Sequence, residues 1–295
     1  MSKMLKGNKL NRKVVYFIIC FLAITAILIW LAVFIEAKSD HLEINFYNIG
    51  QGDAILIEAP SNNQVLIDGG PDFSILEKLG RDLPFYDRKI ELVILTHPDK
   101  DHLFGLVEVL RRYKVEKILT TGILCSTAVC KEWNNLISQK DIPVKIARAG
   151  QIIKIDQGFN LAVLYPFENL KGKEVKNDNN TSIVNRLVYG KNSFLFTGDA
   201  EIKVEKELLA SNINLDSDIL KLSHHGSKGA TSVEFLKEVS PKAAVISVGE
   251  NRWGMPHGEL LERLDENRIR VYRTDIDGDI RVVSDGVSFL IETEK

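Results

Sequence analysis

Apolar positions along the chain fall into three kinds of pattern. The first is one long uncharged run, VVYFIICFLAITAILIWLAVFI, over 14–35. About 20 apolar residues cross a hydrocarbon core, so this run predicts a transmembrane helix. A buried core helix of that length would normally show a polar face, and this one shows none. The second pattern is a set of short apolar runs bounded by turn residues: LEINFYNI, AILIEA, QVLID, ELVILT, SFLFTG and AVISV. These read as strands, and the first three, divided at 50–53 and closed by Gly69 and Gly70, predict a β-meander. The third has helical spacing and predicts helices over 103–113, 200–210, 232–239 and 259–264. Strand character returns over 270–292, where Asp277-Gly278 and Asp285-Gly286 supply two turn signals. Strands gathered at both ends with helices between them predict two packed sheets with helices outside, an α/β sandwich.

Charge sets the expected topology of the first run. Lys3, Lys6, Lys9, Arg12 and Lys13 precede it, while Glu36, Lys38 and Asp40 follow it. The positive-inside rule then leaves the N-terminus in the cytoplasm and everything after residue 40 outside the membrane. A cleaved signal peptide would have a shorter apolar region ending in a small-x-small site, and Ile35, Glu36 and Ala37 match that poorly. The expected organisation is a basic cytoplasmic tail (1–13), an uncleaved single-pass anchor (14–35), a linker (36–41) and one extracytoplasmic domain (42–295).

Composition narrows the chemistry. With 45% hydrophobic and 26% charged residues the chain is neither disordered nor low in complexity. Three cysteines are too few for a Cys-rich metal module, so a metal site must use His and carboxylates. Cys20 falls inside the apolar run. Cys125 and Cys130 would face an oxidising compartment, either closing a small loop or standing as two independent apolar residues. The formal net charge is -2, and without the five N-terminal cations the remainder carries -7.

His41 lies in the linker, and the other five histidines sit beside strand ends. His97, Asp99, Asp101 and His102 form T-H-P-D-K-D-H directly after ELVIL. So short a stretch predicts a loop turning several side chains toward one point. Carboxylates gathered this closely repel unless a cation neutralises them, and a metal ion is the simplest cation. Asp199 ends the run S-F-L-F-T-G-D-A; on its own it reads as the cap of the helix that follows. His224 and His225 follow another apolar stretch in L-K-L-S-H-H-G-S; adjacent side chains diverge on an extended backbone, so one is expected to ligate and the other to orient or touch substrate. His257, in W-G-M-P-H-G, is a lone loop histidine.

Taken together these segments resemble the metallo-β-lactamase superfamily, and within it the hydrolase domain of the ComEC competence proteins. The likeness runs in order through F-Y-N-I-G-Q-G-D-A-I-L-I, V-L-I-D-G-G, T-H-P-D-K-D-H-L-F-G, N-N-T-S-I-V, F-L-F-T-G-D-A-E, L-K-L-S-H-H-G-S and the G-M-P-H loop. It implies a four-layer αβ/βα sandwich. It also implies that His97 and Asp99 hold one metal, that Asp101, His102 and His224 or His225 hold a second, and that Asp199 bridges them. Asp68 would support the site by hydrogen bonding. Asp99 replaces a superfamily histidine, as in the ComEC-like branch. A further superfamily histidine has no equivalent, and Asn180 and Ser182 occupy that region instead. These harder donors shift the first position from zinc toward manganese or magnesium and predict weak occupancy there.

Two metals and a hydroxide held between them suit phosphodiester hydrolysis, with His257 placed to protonate the leaving oxygen or hold a phosphate. The resemblance implies a nuclease acting on DNA outside the membrane. The acidic domain lacks a global positive field, so DNA binding would rely on a local groove, for which Lys221, Lys228 and Arg252 are candidates. Phospholipid headgroups and wall polymers are the alternative surface substrates. A tethered metal-binding accessory protein without turnover is the alternative outside enzymology.

Overall fold

The computed structural model describes residues 11–36, 41–156 and 159–295. The chain forms two compact units, Met1–Ser39 and Asp40–Lys295. In the first, α1 (Arg12–Glu36) contains one span, Arg12–Leu31, long and apolar enough to cross a membrane, with mean hydropathy 2.8 and no buried side chains. Lys3, Lys6 and Lys9 of the basic tail and residues 37–40 of the linker lie outside the described residues.

The second unit opens with the meander β1 (Leu42–Phe46), β2 (Ile55–Glu58) and β3 (Gln64–Ile67). Then follow α2 (Ser74–Asp82), β4 (Lys89–Ile90), β5 (Leu92–Leu95), α3 (Lys100–Arg112), β6 (Lys114–Val115), β7 (Ile118–Thr120), α4 (Ala128–Gln139) and β8 (Val144–Ile146). The second half runs through β9 (Ile152–Asp156), β10 (Phe159–Tyr165), β11 (Val184–Tyr189), β12 (Asn192–Phe196), α5 (Ile202–Ala210) and β13 (Ile219–Lys221). It ends with α6 (Val233–Val239), β14 (Ala243–Ile246), α7 (Gly258–Glu266), β15 (Arg270–Arg273), α8 (Thr274–Asp277), β16 (Ile280–Ser284) and β17 (Phe289–Thr293).

The strands make an eight-stranded sheet, β17-β16-β1-β2-β3-β5-β7-β8, and a seven-stranded sheet, β15-β14-β13-β12-β11-β10-β9, while β4 and β6 pair separately. Between the sheets lies one apolar core, where Ile44, Phe46 and Ile94 meet Phe159, Phe194 and Phe196. A second core joins the first sheet to α2, α3 and α4, and a third joins the second sheet to α5, α6 and α7. This is the four-layer αβ/βα sandwich. β5 and β14 are buried at every position, as strands covered on both faces require, whereas β16 alternates between buried and partly open positions.

Three boundaries differ from the sequence expectation. The T-H-P-D-K-D-H segment is a loop only as far as Asp99, because α3 begins at Lys100 and carries Asp101 and His102 in its first turn. α5 begins at Ile202 with Glu201 at its N-cap, so Asp199 stands before the helix rather than capping it. The Asp277-Gly278 turn joins two sheets instead of two hairpin strands, since β15 pairs with β14 and β16 with β1. Sequence patterning also passed over α2 and α4. Their apolar stripes are thin: α2 buries only Ile75 and Leu79, and α4 only Cys130, Trp133 and Leu136.

The topology gathers the C-terminal ends of several parallel strands at one pole. β3 lies parallel to β5, and β12 to β13. Asp68 follows the first of these strands, His97 the second, Asp199 the third and His225 the fourth. Glycine at two points lets the surrounding backbones close up. A Cβ on Gly105 of α3 would collide with the Gly69 carbonyl, and one on Gly52 would strike the carbonyl of Asp101. The Asp53 N–H in turn donates to that same Asp101 carbonyl at 3.3 Å, which ties the β1–β2 turn to the first turn of α3.

Candidate metal centre

Three imidazoles converge on one carboxylate. Nε2 of His102 lies 3.3 Å, of His225 3.4 Å and of His97 3.9 Å from Asp199 Oδ2. His225 Nε2 is also 3.5 Å from Asp101 Oδ2, and His97 Nε2 is 3.6 Å from Asp99 Oδ2. Among the described residues three groups are compact enough to hold a cation: His97, His102 and Asp199; Asp101, His102 and His225; and, behind them, Asp53, Asp68 and His102. Asp99 occupies the N-cap position of α3 yet makes no side-chain capping bond, and with 46% of its side chain exposed it faces His97 instead.

Hydrogen bonds behind each ring set its tautomer. His102 Nδ1 donates to Asp68 Oδ2 at 2.8 Å, and His225 Nδ1 to the Ser247 carbonyl at 2.8 Å. Thr96 donates its Oγ1–H and its backbone N–H to the Asp68 carboxylate, leaving Thr96 Oγ1, 3.1 Å from His97 Nδ1, free to accept. With each Nδ1–H donating outward, the three Nε2 atoms are turned inward. All three Nε2 atoms and Asp199 Oδ1 are buried without a hydrogen-bond partner. Buried polar atoms left in that state are costly, so three nitrogens converging on one carboxylate mark a site built for another species. Imidazole nitrogens and carboxylate oxygens together suit a divalent ion. The residues present therefore fit the metal ions that the resemblance implies.

The electrostatics of the protein alone agree. Burial disfavours a charged His102, but Asp199 and Asp68 outweigh it and hold its pKa well above the ordinary value. Burial acts likewise on His225, where Asp199 and Asp101 prevail and lift it to about 10. Burial opposes ionisation of Asp199 too, and the charges of His225 and His102 overcome that and hold it well below the usual carboxylate range. Protons thus stand in for metal charge, and metal must displace them.

His224 and His225 part company. Both have positive φ, 50° and 51°, a conformation costly for residues with a Cβ, and the following Gly226 has φ 83°. This turn buries His225 among the ligands and leaves the His224 ring partly open, 3.4 Å from Asn179 Nδ2 and 3.9 Å from Glu201 Oε1. Ser182 lies behind the site, its Oγ accepting from the Asp199 N–H at 3.1 Å and standing 3.3 Å from His97 Nδ1. The Asn180 amide donates to Glu201 at 2.8 Å, away from the histidine ligands, and it is Asn179 that faces the cleft. His257 is the N-cap residue of α7; its backbone N–H donates to the Gly226 carbonyl at 3.0 Å, which sets it beside the histidine turn.

Two residues at the centre escaped sequence reasoning or were misread by it. Lys221, expected to line a basic groove, is fully buried: its ammonium pairs with Asp53 and donates to the Gly198 carbonyl at 3.0 Å. Among the three cations proposed for that groove only Lys228 and Arg252 are exposed. Asp53, from the G-Q-G-D turn, is buried 3.5 Å from His225 Nδ1. An isolated Asp after glycines reads as a turn residue, and only its neighbours in space reveal its place. Cys125 and Cys130 form a disulfide at the entry to α4.

An open cleft of about 760 Å³ leads down to Asp101, Asp199 and His225. Its rim carries Trp253, 54% exposed, with the Arg252 guanidinium stacked 5.2 Å from the ring centroid, and Lys100, whose ammonium sits over Phe104.

The profile of the Metallo-beta-lactamase superfamily matches residues 47–250. The chain is 31% identical over 257 residues to ComE operon protein 3 of Bacillus subtilis, covering 81% of this chain and 32% of that protein. It is 29% identical to Recombination protein 2 of Haemophilus influenzae over 95% of this chain and 33% of that one. It is 30% identical to Competence protein ComA of Neisseria gonorrhoeae over 80% and 31%. The chain thus spans about a third of the length of these relatives. Among solved structures, the fold is shared with Igni18, a metallo hydrolase of Ignicoccus hospitalis (TM-score 0.54, 16% identity, 81% of this chain and 98% of that one). It is shared also with YhfI, a metallo-β-lactamase fold protein of Bacillus subtilis (TM-score 0.57, 12% identity, 83% and 100%). By its profile, its relatives and its four-layer fold, the chain belongs to the metallo-β-lactamase superfamily of metal-dependent hydrolases.

Proposed function

We propose that this protein is a membrane-anchored phosphodiesterase that cleaves DNA outside the cytoplasmic membrane. The observation that carries the reading is the set of inward-facing Nε2 atoms of His97, His102 and His225 around Asp199, all buried and without partners. His97 and Asp99 would hold one ion, Asp101, His102 and His225 the other, with Asp199 between them. Ions bound there would lower the pKa of a coordinated water toward neutrality and polarise a phosphoryl oxygen. Zinc, manganese and magnesium are the candidates, and the carboxylate-rich first position favours the harder two.

The protein's own groups do the rest. Asp68, Thr96 and Ser247 fix the imidazoles in the tautomer that presents Nε2, and Ser182 holds the Asp199 backbone. His257, held beside Gly226, protonates the leaving oxygen in this reading. Trp253 with Arg252, and Phe104 with Lys100, flank the cleft with a flat apolar face beside a cation, the combination on which unpaired bases and phosphates rest. The names of the relatives, two of them competence or recombination proteins, favour DNA over other surface diesters. In this reading α1 serves as the single-pass anchor, and the cation-rich N-terminal segment supports an N-terminus in the cytoplasm. The Cys125–Cys130 bridge supports an oxidising compartment for the domain.

The test uses the full chain in detergent, stripped with chelator and reloaded with Mn, Mg or Zn. Bis-p-nitrophenyl phosphate and labelled single- and double-stranded DNA are the substrates. Metal-dependent cleavage of both classes is expected. Cleavage of the small diester without DNA cleavage would redirect the substrate to a lipid headgroup or wall polymer. Stoichiometric metal binding with no turnover on any diester would leave a tethered binding protein.

A further inference from the structure

Asp199 presents its two oxygens to different partners. Oδ2 faces the Nε2 atoms of His97, His102 and His225 at 3.3–3.9 Å, whereas Oδ1 faces the ammonium of Lys221 at 3.8 Å. That ammonium is fixed. It ends β13 with a side chain that is completely buried, donates to the carbonyl of Gly198, the residue before Asp199, and pairs with the carboxylate of Asp53. Asp53 in turn lies 3.9 Å from His102 Nδ1 and 3.5 Å from His225 Nδ1. A lysine with a flexible stem is rarely buried to this extent unless its charge is matched on every side.

We infer that Lys221 is a positioning residue for the metal centre: paired with the Asp53 carboxylate, its charge attracts Asp199 Oδ1, so that Asp199 offers the metals Oδ2 alone. The inference rests on the reading of the site as a metal centre. A carboxylate free to rotate can span two ions with both oxygens or serve them with one, and the spacing of the ions follows from that choice. A fixed cation behind Oδ1 selects the single-oxygen arrangement. It also answers a question raised by Asp53, which with Asp68 and His102 forms a third group compact enough for a cation. Lys221 already occupies that position with its own positive charge, and no third ion is needed there.

The experiment compares wild type, K221M and the double variant K221M/D53N, all as full chain in detergent. Two quantities are read: melting temperature of the chelated protein, and Mn(II) binding by titration, with the spin coupling of the two ions followed by electron paramagnetic resonance. K221M strands the Asp53 charge, so it melts lower than wild type. The double variant removes both charges and regains most of that loss. If Lys221 only balanced Asp53, Mn(II) binding would also recover, and the inference would be overturned. The expected result is that it does not: affinity stays about 10- to 100-fold weaker, the range for lost supporting contacts, and the coupling changes. Should the methionine variants fail to fold, K221Q, which keeps an N–H donor without the charge, carries the same test, and wild-type Mn(II) binding in it overturns the idea equally. A wild-type protein that binds no Mn(II), Mg(II) or Zn(II) would instead overturn the metal centre itself.

Discussion

Two groups of partly or fully buried acids in this domain carry their charge in opposite ways. Asp199, at the metal pole, is held well below the usual carboxylate range although it is buried, because His225 and His102 face it. Glu58, in β2, is pushed up to about 7 by burial first and then by Glu43 and Asp82. Glu43 and Glu58 are direct cross-strand partners, and the nearby Arg281 is engaged with Glu43. The acids of one group therefore keep their charge and hold protons on their histidine neighbours, which a metal can displace. The acid of the other keeps the proton itself. Acidic clustering alone does not mark a site, and what separates the two places is the presence of orphaned nitrogens aimed at the carboxylate.

The sharpest way to break this contrast is to remove a carboxylate and an imidazole that would hold the second ion. In the double variant D101A/H102A, turnover of bis-p-nitrophenyl phosphate is expected to fall by at least about 10³-fold, since losing supporting contacts alone costs about 10- to 100-fold. Metal-dependent cleavage that survives in that variant would place the chemistry elsewhere. Next in size is the divergence of adjacent histidines. H225A removes a buried nitrogen 3.4 Å from Asp199 Oδ2 and is expected to weaken metal binding by about 100-fold or more. H224A removes a partly exposed ring of the cleft wall, and metal affinity should change by less than about tenfold while the Michaelis constant for DNA rises. Equal losses in the two would mean that the turn rearranges on binding.

A smaller effect tests the inequality of the two metal positions. At the second, His102 and His225 are each backed by a bond of 2.8 Å to a carboxylate or carbonyl. At the first, His97 is backed by hydroxyls, and Asp99 is half open to solvent. Calorimetric titration of H97A with Mn(II) should show one ion lost and the other retained within about tenfold of its wild-type affinity. Loss of both ions together would mean that the positions fill as a unit.

Much of this centre was legible beforehand, and the reasons are local. T-H-P-D-K-D-H concentrates His97, Asp99, Asp101 and His102 within one strand-to-helix connection, so spacing alone brings them together. The sandwich was legible because its strands are short and bounded by glycine, and because helices interleave with them. Illegible were the properties set by tertiary placement. Nothing in L-K-L-S-H-H-G-S says that Lys221 turns inward to meet an aspartate 168 positions earlier in the chain, at Asp53. The choice between His224 and His225 depends on two successive left-handed residues, which sequence does not announce for histidine. α2 and α4 were missed because each buries so few apolar side chains that the helical period is faint.

The smallest expected effect lies at the other acid group, and its sign follows from linkage. Glu58 ionises near its ordinary value of about 4.3 in the unfolded chain but at about 7 in the folded one. The protonated form therefore contributes stability that is complete below about pH 4 and lost as pH rises through about 7. Above that, folding must carry a partly buried negative charge beside Glu43 and Asp82. E58Q keeps the side chain neutral at every pH and its amide can still meet Asn45, whose Nδ2 lies 3.5 Å from Glu58 Oε1. Its melting temperature should lie close to wild type at pH 5, where little of the loss has developed, and exceed it at pH 8 by about 2–4 °C, corresponding to about 1 kcal/mol once partial exposure is discounted. Taking the difference between the two proteins at each pH cancels the titration of the metal pole, which both share. A gain of the same size at pH 5 would assign the effect to packing, and a loss at pH 8 would mean that the Glu58 carboxylate is paired with a cation after all, making the two acid groups alike.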